Sequence, residues 1–250
     1  MATLIDTIAH GAVTELRLAR PPVNALDPAL CRALAAAVPS AVDAGARGIV
    51  LSGGEKVFSA GLDVPHLLSL QSREALGAAW SDFLAAARAL AASAVPVAAA
   101  ITGHSPAGGC VLALCCDYRV MAEGPFRIGL NETQVGLVVP KGIQHLMRRA
   151  VGIQRAERLL VGGEMVESAR ALAIGLVDEL AAPGHVVPRA VAWLEALLAL
   201  PREPVLQTRA IARADLRAAL DGIDMDTFVD AWNAPDTQAG LRALVARLGK

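Results

Sequence analysis

The sequence predicts a mixed α/β fold in which strand, loop and helix recur as a right-handed parallel arrangement, with ligand loops at the strands' carboxyl ends. Three observations predict it. The apolar runs GIVLS (48–52) and PVAAAIT (96–102) each lead through a glycine-containing loop toward a segment of helical spacing. The same unit then recurs along the chain without a solenoid period. From Pro140 onward the apolar spacing is almost wholly helical. A chain of 250 residues forms one large domain or two small ones, and either buries a substantial core.

Residues 3–8 and 12–18 alternate like strands around His10-Gly11, which predicts an opening hairpin. Asp27-Pro28 supplies an N-cap and a first-turn proline for an alanine-rich helix to about Ala44. GIVLS follows as a strand, then the polar loop SGGEKVFSAGLD (52–63) and a helix from about Ser72 to Ala92. PVAAAIT is the next strand, AGGCVLALCC (107–116) the helix after it, and YRVMA (118–122) and FRIG (126–129) are short strands. Pro140 opens one helix, Ile153 to Val161 forms a second, and Ser168 caps a third that stops at Gly175. Pro201 to Pro204 separates a final helical region, amphipathic around Arg209–Leu220 and Thr237–Leu248. Apolar faces there that the first half does not cover imply self-association.

Composition narrows the function classes. Hydrophobic residues make up 54% of the chain, aromatics 3%, and the formal net charge is −1. Such a balance gives no general electrostatic pull toward nucleic acid or an anionic membrane. No Asp, Glu, Lys or Arg occurs between Arg88 and Asp117, but Ser93, Pro96, the Thr102–Pro106 segment and Gly108-Gly109 divide that interval into pieces too short to span a bilayer. It reads as the buried centre of a soluble protein. MATLIDTIAHG carries Asp6 and has no basic segment before a long apolar one, so no secretory signal is read and a cytoplasmic location is expected. Cys31, Cys110, Cys115 and Cys116 make no CxxC pair and no metal spacing, and read as buried reduced thiols. A nucleophilic Cys110 is the alternative, but neither His104 nor His145 has a spacing that marks it as its base.

The chemistry-bearing signals are two glycine turns and one acid. In ITGHSPAGGCVLALCCDY a strand gives way to a small-residue turn and then to a helix, which puts the N–H of Gly108 at a helix N-terminus. Such a group lacks an intrahelical partner and stabilises an oxygen that becomes negative. FSAGLDV (58–64) follows GIVLS in the same way: Ser59, Ala60 and Gly61 permit close backbone approach, and the turn exposes the N–H of Leu62. A tight turn without a ligand is the competing reading of either turn alone. If both N–H groups converge, they make a two-donor oxyanion hole, where one donor is worth on the order of 10² to 10³ in rate. Glu132, in IGLNETQVGL, is then the acid that moves protons, and an oxyanion site with one acid suggests enolate chemistry. Spacing alone leaves Glu132 equally readable as a capping acid beside Asn131 and Thr133.

FSAGLDV, SPAGGCVLALCCDYRV and IGLNETQVGL followed by Pro140 together resemble the crotonase (enoyl-CoA hydratase/isomerase) superfamily, and most closely its mitochondrial-type Δ3,Δ2-enoyl-CoA isomerase branch. The resemblance covers essentially the whole chain. It implies a spiral core of ββα turns over residues 1–190 and a helical C-terminal region over 191–250 that drives formation of a homotrimer or a dimer of trimers. It places Leu62 and Gly108 on the oxyanion donors and Glu132 on the catalytic glutamate. Ala60, Gly61, Leu62, Asp63, Val64, Gly108 and Val111 then line the acyl-CoA substrate. CoA is part of that substrate, so no separate cofactor, metal, nucleic acid or membrane is implied.

The hydratases of the family carry a second glutamate three residues after the oxyanion glycine, and here that position is Val111. Hydration needs a water held between an acid and a base, whereas a double-bond shift needs one group that removes a proton and returns it. The expected reaction is conversion of 3-enoyl-CoA to trans-2-enoyl-CoA, as in β-oxidation, with the Glu132 pKa raised by an apolar pocket. Two alternatives stay open: a hydratase or other acyl-CoA activity with an acid from elsewhere, such as Glu74, and acyl-CoA or RNA binding without turnover. Among other candidates, Asp63 reads as a helix cap and Asp117 as an anchor of the following strand or partner of Arg119. Glu55 and Lys56 read as solvated loop charges, with Lys56 a candidate for a CoA phosphate. His145, Trp80, Trp193 and Trp232 read as packing residues on helices.

Overall fold

The computed structural model describes residues 3–248; residues 1, 2, 249 and 250, at the ends of the two spans above, lie outside the described residues. The hairpin forms around His10-Gly11, with β1 (Ile5–His10) antiparallel to β2 (Val13–Leu18). Asp27 caps α1 (Pro28–Asp43), its carboxylate accepting from the Leu30 N–H at 2.8 Å. β3 (Gly48–Ser52) lies parallel to β2. After it, Asp63 caps the short α2 (Val64–Ser69), and Ser72 caps α3 (Arg73–Ala91). β4 (Val97–Ile101), β5 (Ser105–Pro106), α4 (Gly108–Leu114), β6 (Tyr118–Ala122) and β7 (Arg127–Gly129) complete the first half.

Strand periodicity explains how the sheet divides the core. In the six-stranded sheet β2, β3, β4 and β6 run parallel side by side, and alternate residues face opposite layers. Ile49, Leu51, Val97, Ala99, Ile101 and Met121 pack on one side in the core formed with α1, α3 and α4. Val50, Ala98, Ala100 and Val120 pack on the other against Val186, Ala190 and Leu194. Those last residues belong to α8 (Val186–Leu198), so a division between 190 and 191 falls inside a helix whose buried face belongs to the sheet.

The second half corrects the almost wholly helical expectation. α5 (Lys141–Val151) and α6 (Ile153–Gly162) form as expected, but β8 (Val166–Glu167) then joins β7, and β9 (Glu179–Ala181) adds the sixth strand beside β6. These strands have two and three residues, too few for alternation to show. Ser168 does not cap α7 (Ser168–Ala173): it is the first helical residue, and its hydroxyl donates to the Gly124 carbonyl at 2.8 Å. The 209–220 segment is broken at Arg213 into α9 (Arg202–Ala212) and α10 (Ala214–Asp221), and Pro204 sits in the first turn of α9, where its missing N–H costs nothing. α11 (Met225–Trp232) and α12 (Pro235–Leu248) end the chain.

The Asp117 carboxylate anchors the earlier strand β4 rather than the strand that follows it, accepting from the Val97 N–H at 2.8 Å, and its ionic partners are Arg209 at 2.8 Å and Arg213 at 3.1 Å rather than Arg119. Arg119 pairs with Asp178 at 2.7 Å. Arg213 also donates to the Cys115 and Cys116 carbonyls, placing a cation where the carbonyl end of α4 accumulates negative charge. All four cysteines are buried and free. Burial pushes the Cys110 thiol well above its usual range, which leaves it without thiolate character at neutral pH. The three tryptophans pack as expected: Trp80 against Phe83, Phe228 and Trp232, and Trp193 stacked on Tyr118 with ring centroids 4.5 Å apart.

Candidate active site

Backbone pairing brings the two glycine turns together. Val57 and His104 form a parallel bridge, with the Phe58 N–H donating to the His104 carbonyl and the His104 N–H to the Lys56 carbonyl, each at 2.9 Å. The loop after β3 therefore runs beside the segment after β4. At its far end the Gly61–Leu62 peptide lies against the start of α4: a Cβ on Gly61 would sit 3.1 Å from the Gly108 nitrogen and 3.1 Å from the Ala107 Cβ. Gly61 also has φ +81°, which an L side chain adopts only with strain. Ala107 takes φ +46° without being glycine, a turn that directs the chain into α4.

The amides at this meeting point are unused. Leu26 bridges to Leu62, so the Leu26 N–H donates to the Gly61 carbonyl and the Asp63 N–H to the Leu26 carbonyl. That pattern leaves the Leu62 N–H between them with no acceptor among the described residues. Gly108, at the first position of α4, is likewise without one, while the Ala107 N–H before it donates to the Gly129 carbonyl at 2.9 Å. Two adjacent backbone donors, one of them at a helix N-terminus, can stabilise a developing oxyanion.

The same Ala107–Gly129 bond ties the segment that leads into Glu132 to the start of α4. β5 and β7 pair in parallel with Pro106 opposite Gly129, and three residues beyond Gly129 the chain enters the 3-10 turn Glu132–Val135. Glu132 as a residue is half-buried, but its Oε2 is fully buried and has no hydrogen-bond partner among the described residues. Burial raises its pKa from 4.5 to about 7, opposed only by a hydrogen bond from its own backbone N–H. Its charge reaches the first turn of α4, where it helps to raise the Cys110 thiol. A carboxyl group poised near neutrality can take a proton and give it back.

The remaining sequence-predicted residues divide between the elements that flank the two turns and positions outside them. The exposed Ala60 donates its N–H to the Val23 carbonyl, Val64 opens α2, and Asp63 caps that helix. Val111 is 1% exposed on α4, and no carboxylate stands in its place. Glu74 is exposed in the first turn of α3, where bonds from its own backbone amide and then Ser72 hold its carboxyl below the usual range. Lys56 and Glu55 are exposed on the loop. His145 lies 3.1 Å from Asp215 on the outer side of α5. No group of three or more His, Cys, Asp or Glu side chains among the described residues could hold a metal ion. No described helix is long and apolar enough to cross a membrane.

Several supporting residues escaped sequence reasoning. Arg20 joins the two helix caps flanking the first turn, reaching Asp27 at 3.1 Å and Asp63 at 2.7 Å. Buried Asn24, at φ +49°, donates to the Phe58 carbonyl, and its own carbonyl accepts from Ser59. The one available signal was Asn24 itself, since Asn tolerates a left-handed backbone in a turn. Leu26 and Phe83 wall Gly108, with Leu26 Cδ1 at 3.0 Å and Phe83 Cε2 at 3.3 Å from where its Cβ would lie.

Comparison with known proteins places the chain in a family. Residues 9–248 match the family model described as enoyl-CoA hydratase/isomerase. The mouse protein named enoyl-CoA delta isomerase 1, mitochondrial, is 36% identical over 235 residues, covering 92% of this chain and 79% of its own. The probable enoyl-CoA hydratase EchA17 of Mycobacterium tuberculosis is also 36% identical, over 209 residues covering 82% of this chain and 78% of its own. The crystal structure of human mitochondrial Δ3-Δ2-enoyl-CoA isomerase superposes with a TM-score of 0.93 at 30% identity, covering 98% of each chain. Sequence and fold thus agree over nearly the full length, and this chain belongs to the enoyl-CoA hydratase/isomerase family, the crotonases.

Proposed function

We propose that the protein is a Δ3,Δ2-enoyl-CoA isomerase, converting 3-enoyl-CoA to trans-2-enoyl-CoA, as fatty acid β-oxidation requires. The observation that carries this reading is a single carboxylate, Glu132, whose Oε2 is buried and unpaired and whose charge is felt in the first turn of α4, with Val111 where a second acid would be needed for hydration. The thioester oxygen accepts from the Leu62 and Gly108 N–H groups. Glu132 removes a proton from C2, and the C–H electron pair forms the enolate whose negative charge rests on that oxygen. As the carbonyl re-forms, the electrons shift to make C2=C3, and the former C3=C4 pair takes the proton from Glu132 at C4. One group acts as base and then as acid, so a pKa near 7 suits both steps.

A hydratase is the second reading, favoured by the match to the probable hydratase EchA17. It requires another acid, and Glu74 is exposed with its carboxylate form stabilised. CoA enters as part of the substrate, and we assign no separate cofactor. Exposed Val138, Ile153 and Val161 support the assembly into trimers or pairs of trimers that the family resemblance implies, which light scattering on the purified protein tests. The reaction is tested by following trans-3-hexenoyl-CoA isomerisation beside crotonyl-CoA hydration, with Glu132→Gln as the control.

A further inference from the structure

The C-terminal helix α12 reaches back across the molecule to the turn that carries Glu132. Thr237, which is 3% exposed, donates its hydroxyl to the Gly136 carbonyl at 2.6 Å, at the end of that turn. One helical turn along, Gly240 meets the turn directly: a Cβ there would lie 2.4 Å from the Val135 carbonyl oxygen and 2.7 Å from its carbon. Glycine inside a helix is unfavourable to the helix itself, so its use here answers to the contact. On its other side the turn is tied by Thr133, whose hydroxyl donates to the Leu160 carbonyl at 3.1 Å at the end of α6. The same helix touches the oxyanion side. Gln238 of α12, with Trp232 at the end of α11, lines a cavity of about 110 Å3 against Leu67 of α2 and Leu76 of α3.

We propose that α12 is a same-chain clamp that sets the position of Glu132, with Thr237 the positioning residue and Gly240 the contact that lets the helix close on the turn. This rests on the assignment of Glu132 as the proton shuttle. A carboxylate that must reach both C2 and C4 is sensitive to small displacement, and a misplacement of about 1 Å costs on the order of 100-fold in rate. On this proposal α12, which covers the buried Val135, also shields the buried Oε2 of the same turn from water. The groups that titrate or carry charge near the turn are Cys110 from α4, Arg148 from α5, Glu157 from α6 and Asp236 from α12. None of them contributes to the raised pKa of Glu132, which comes from burial.

The test compares Thr237→Val, Thr237→Ser and Gly240→Ala. Thr237→Val should lower kcat for trans-3-hexenoyl-CoA by about 10- to 100-fold, with KM and the Kd for unreactive hexanoyl-CoA changed by less than about twofold. Thr237→Ser should restore most of kcat. Gly240→Ala should lower kcat although alanine is the better helix former. In both impaired variants the acidic limb of kcat/KM should move to lower pH, because water now reaches the carboxylate; simple loss of folded enzyme would reduce amplitude without moving it. Unchanged kcat in Thr237→Val, or a loss that leaves the pH limb in place, overturns the clamp. If the wild-type protein does not isomerise, the functional assignment fails on its own, and the clamp is still read from folding: the pH-dependent part of stability contributed by Glu132 should flatten in Thr237→Val, and an unflattened curve refutes it.

Discussion

Replacing Glu132 by Gln should abolish turnover and stabilise the fold, by an amount that depends on pH in a definite direction. The Glu132 carboxyl has a pKa of about 7 in the folded protein against 4.5 for a free side chain. A raised folded-state value means that folding is favoured while the group is protonated. Its stabilising share is fully present below about pH 4.5 and is lost as pH rises through 7. The gap between 4.5 and 7, at about 1.4 kcal/mol per unit, gives on the order of 3 kcal/mol in all, of which about 2.5 kcal/mol falls between pH 5 and pH 8. Gln does not titrate, so whatever its packing costs is the same at both pH values. Urea unfolding of the two proteins at pH 5 and pH 8 isolates the difference. The Gln variant should gain on the wild type by about 2.5 kcal/mol across that range, a melting-temperature gain of several degrees for a chain of this size. A stability difference that stays constant with pH would show that Glu132 is solvated and would refute the buried-carboxylate argument.

Ionisation of the same group acts oppositely on catalysis. kcat/KM for isomerisation should fall about tenfold per pH unit below an apparent pKa near 7, because the base form is lost, and a limb near 4.5 would contradict the placement of Oε2. Gly61→Ala puts a Cβ 3.1 Å from the Gly108 nitrogen at φ +81°. It should reduce kcat/KM by on the order of 10²-fold while costing only about 1 to 2 kcal/mol in urea unfolding, and retained activity would remove the turn from the site. Asp117→Asn leaves Arg209 and Arg213, whose side chains are 13% and 9% exposed, without their shared carboxylate. It should lower stability by about 3 to 5 kcal/mol, and a loss below about 1 kcal/mol would mean that the network is solvated.

What the sequence revealed was local in character. The two glycine turns, the cap at Asp63 and the acid in GLNETQ were legible because each is a short motif whose backbone requirement is met by residues a few positions apart. The resemblance to the crotonases then tied those motifs together, and the structure puts the turns in contact and the carboxyl beside α4. What could not be read depends on distant partners. For Asp117 the sequence offered only near neighbours, the strand that follows it or Arg119 two residues on, whereas Arg209 lies 92 residues away and reaches both carboxylate oxygens. Thr237 and Gly136 are 101 residues apart, and nothing in a helical pattern marks a hydroxyl as a clamp on another turn. β9 failed differently: the three residues ELA carry no period, and they become a strand because β6 leaves an edge for them to pair with.

The one-carboxylate shuttle is tested most directly by giving the purified protein trans-3-hexenoyl-CoA and crotonyl-CoA in parallel, each with Glu132→Gln beside the wild type. Isomerisation far above hydration, with the variant reduced by several orders of magnitude yet still binding hexanoyl-CoA, is the predicted result. Hydration dominating in the wild type, or isomerisation surviving the loss of the Glu132 carboxylate, would contradict it.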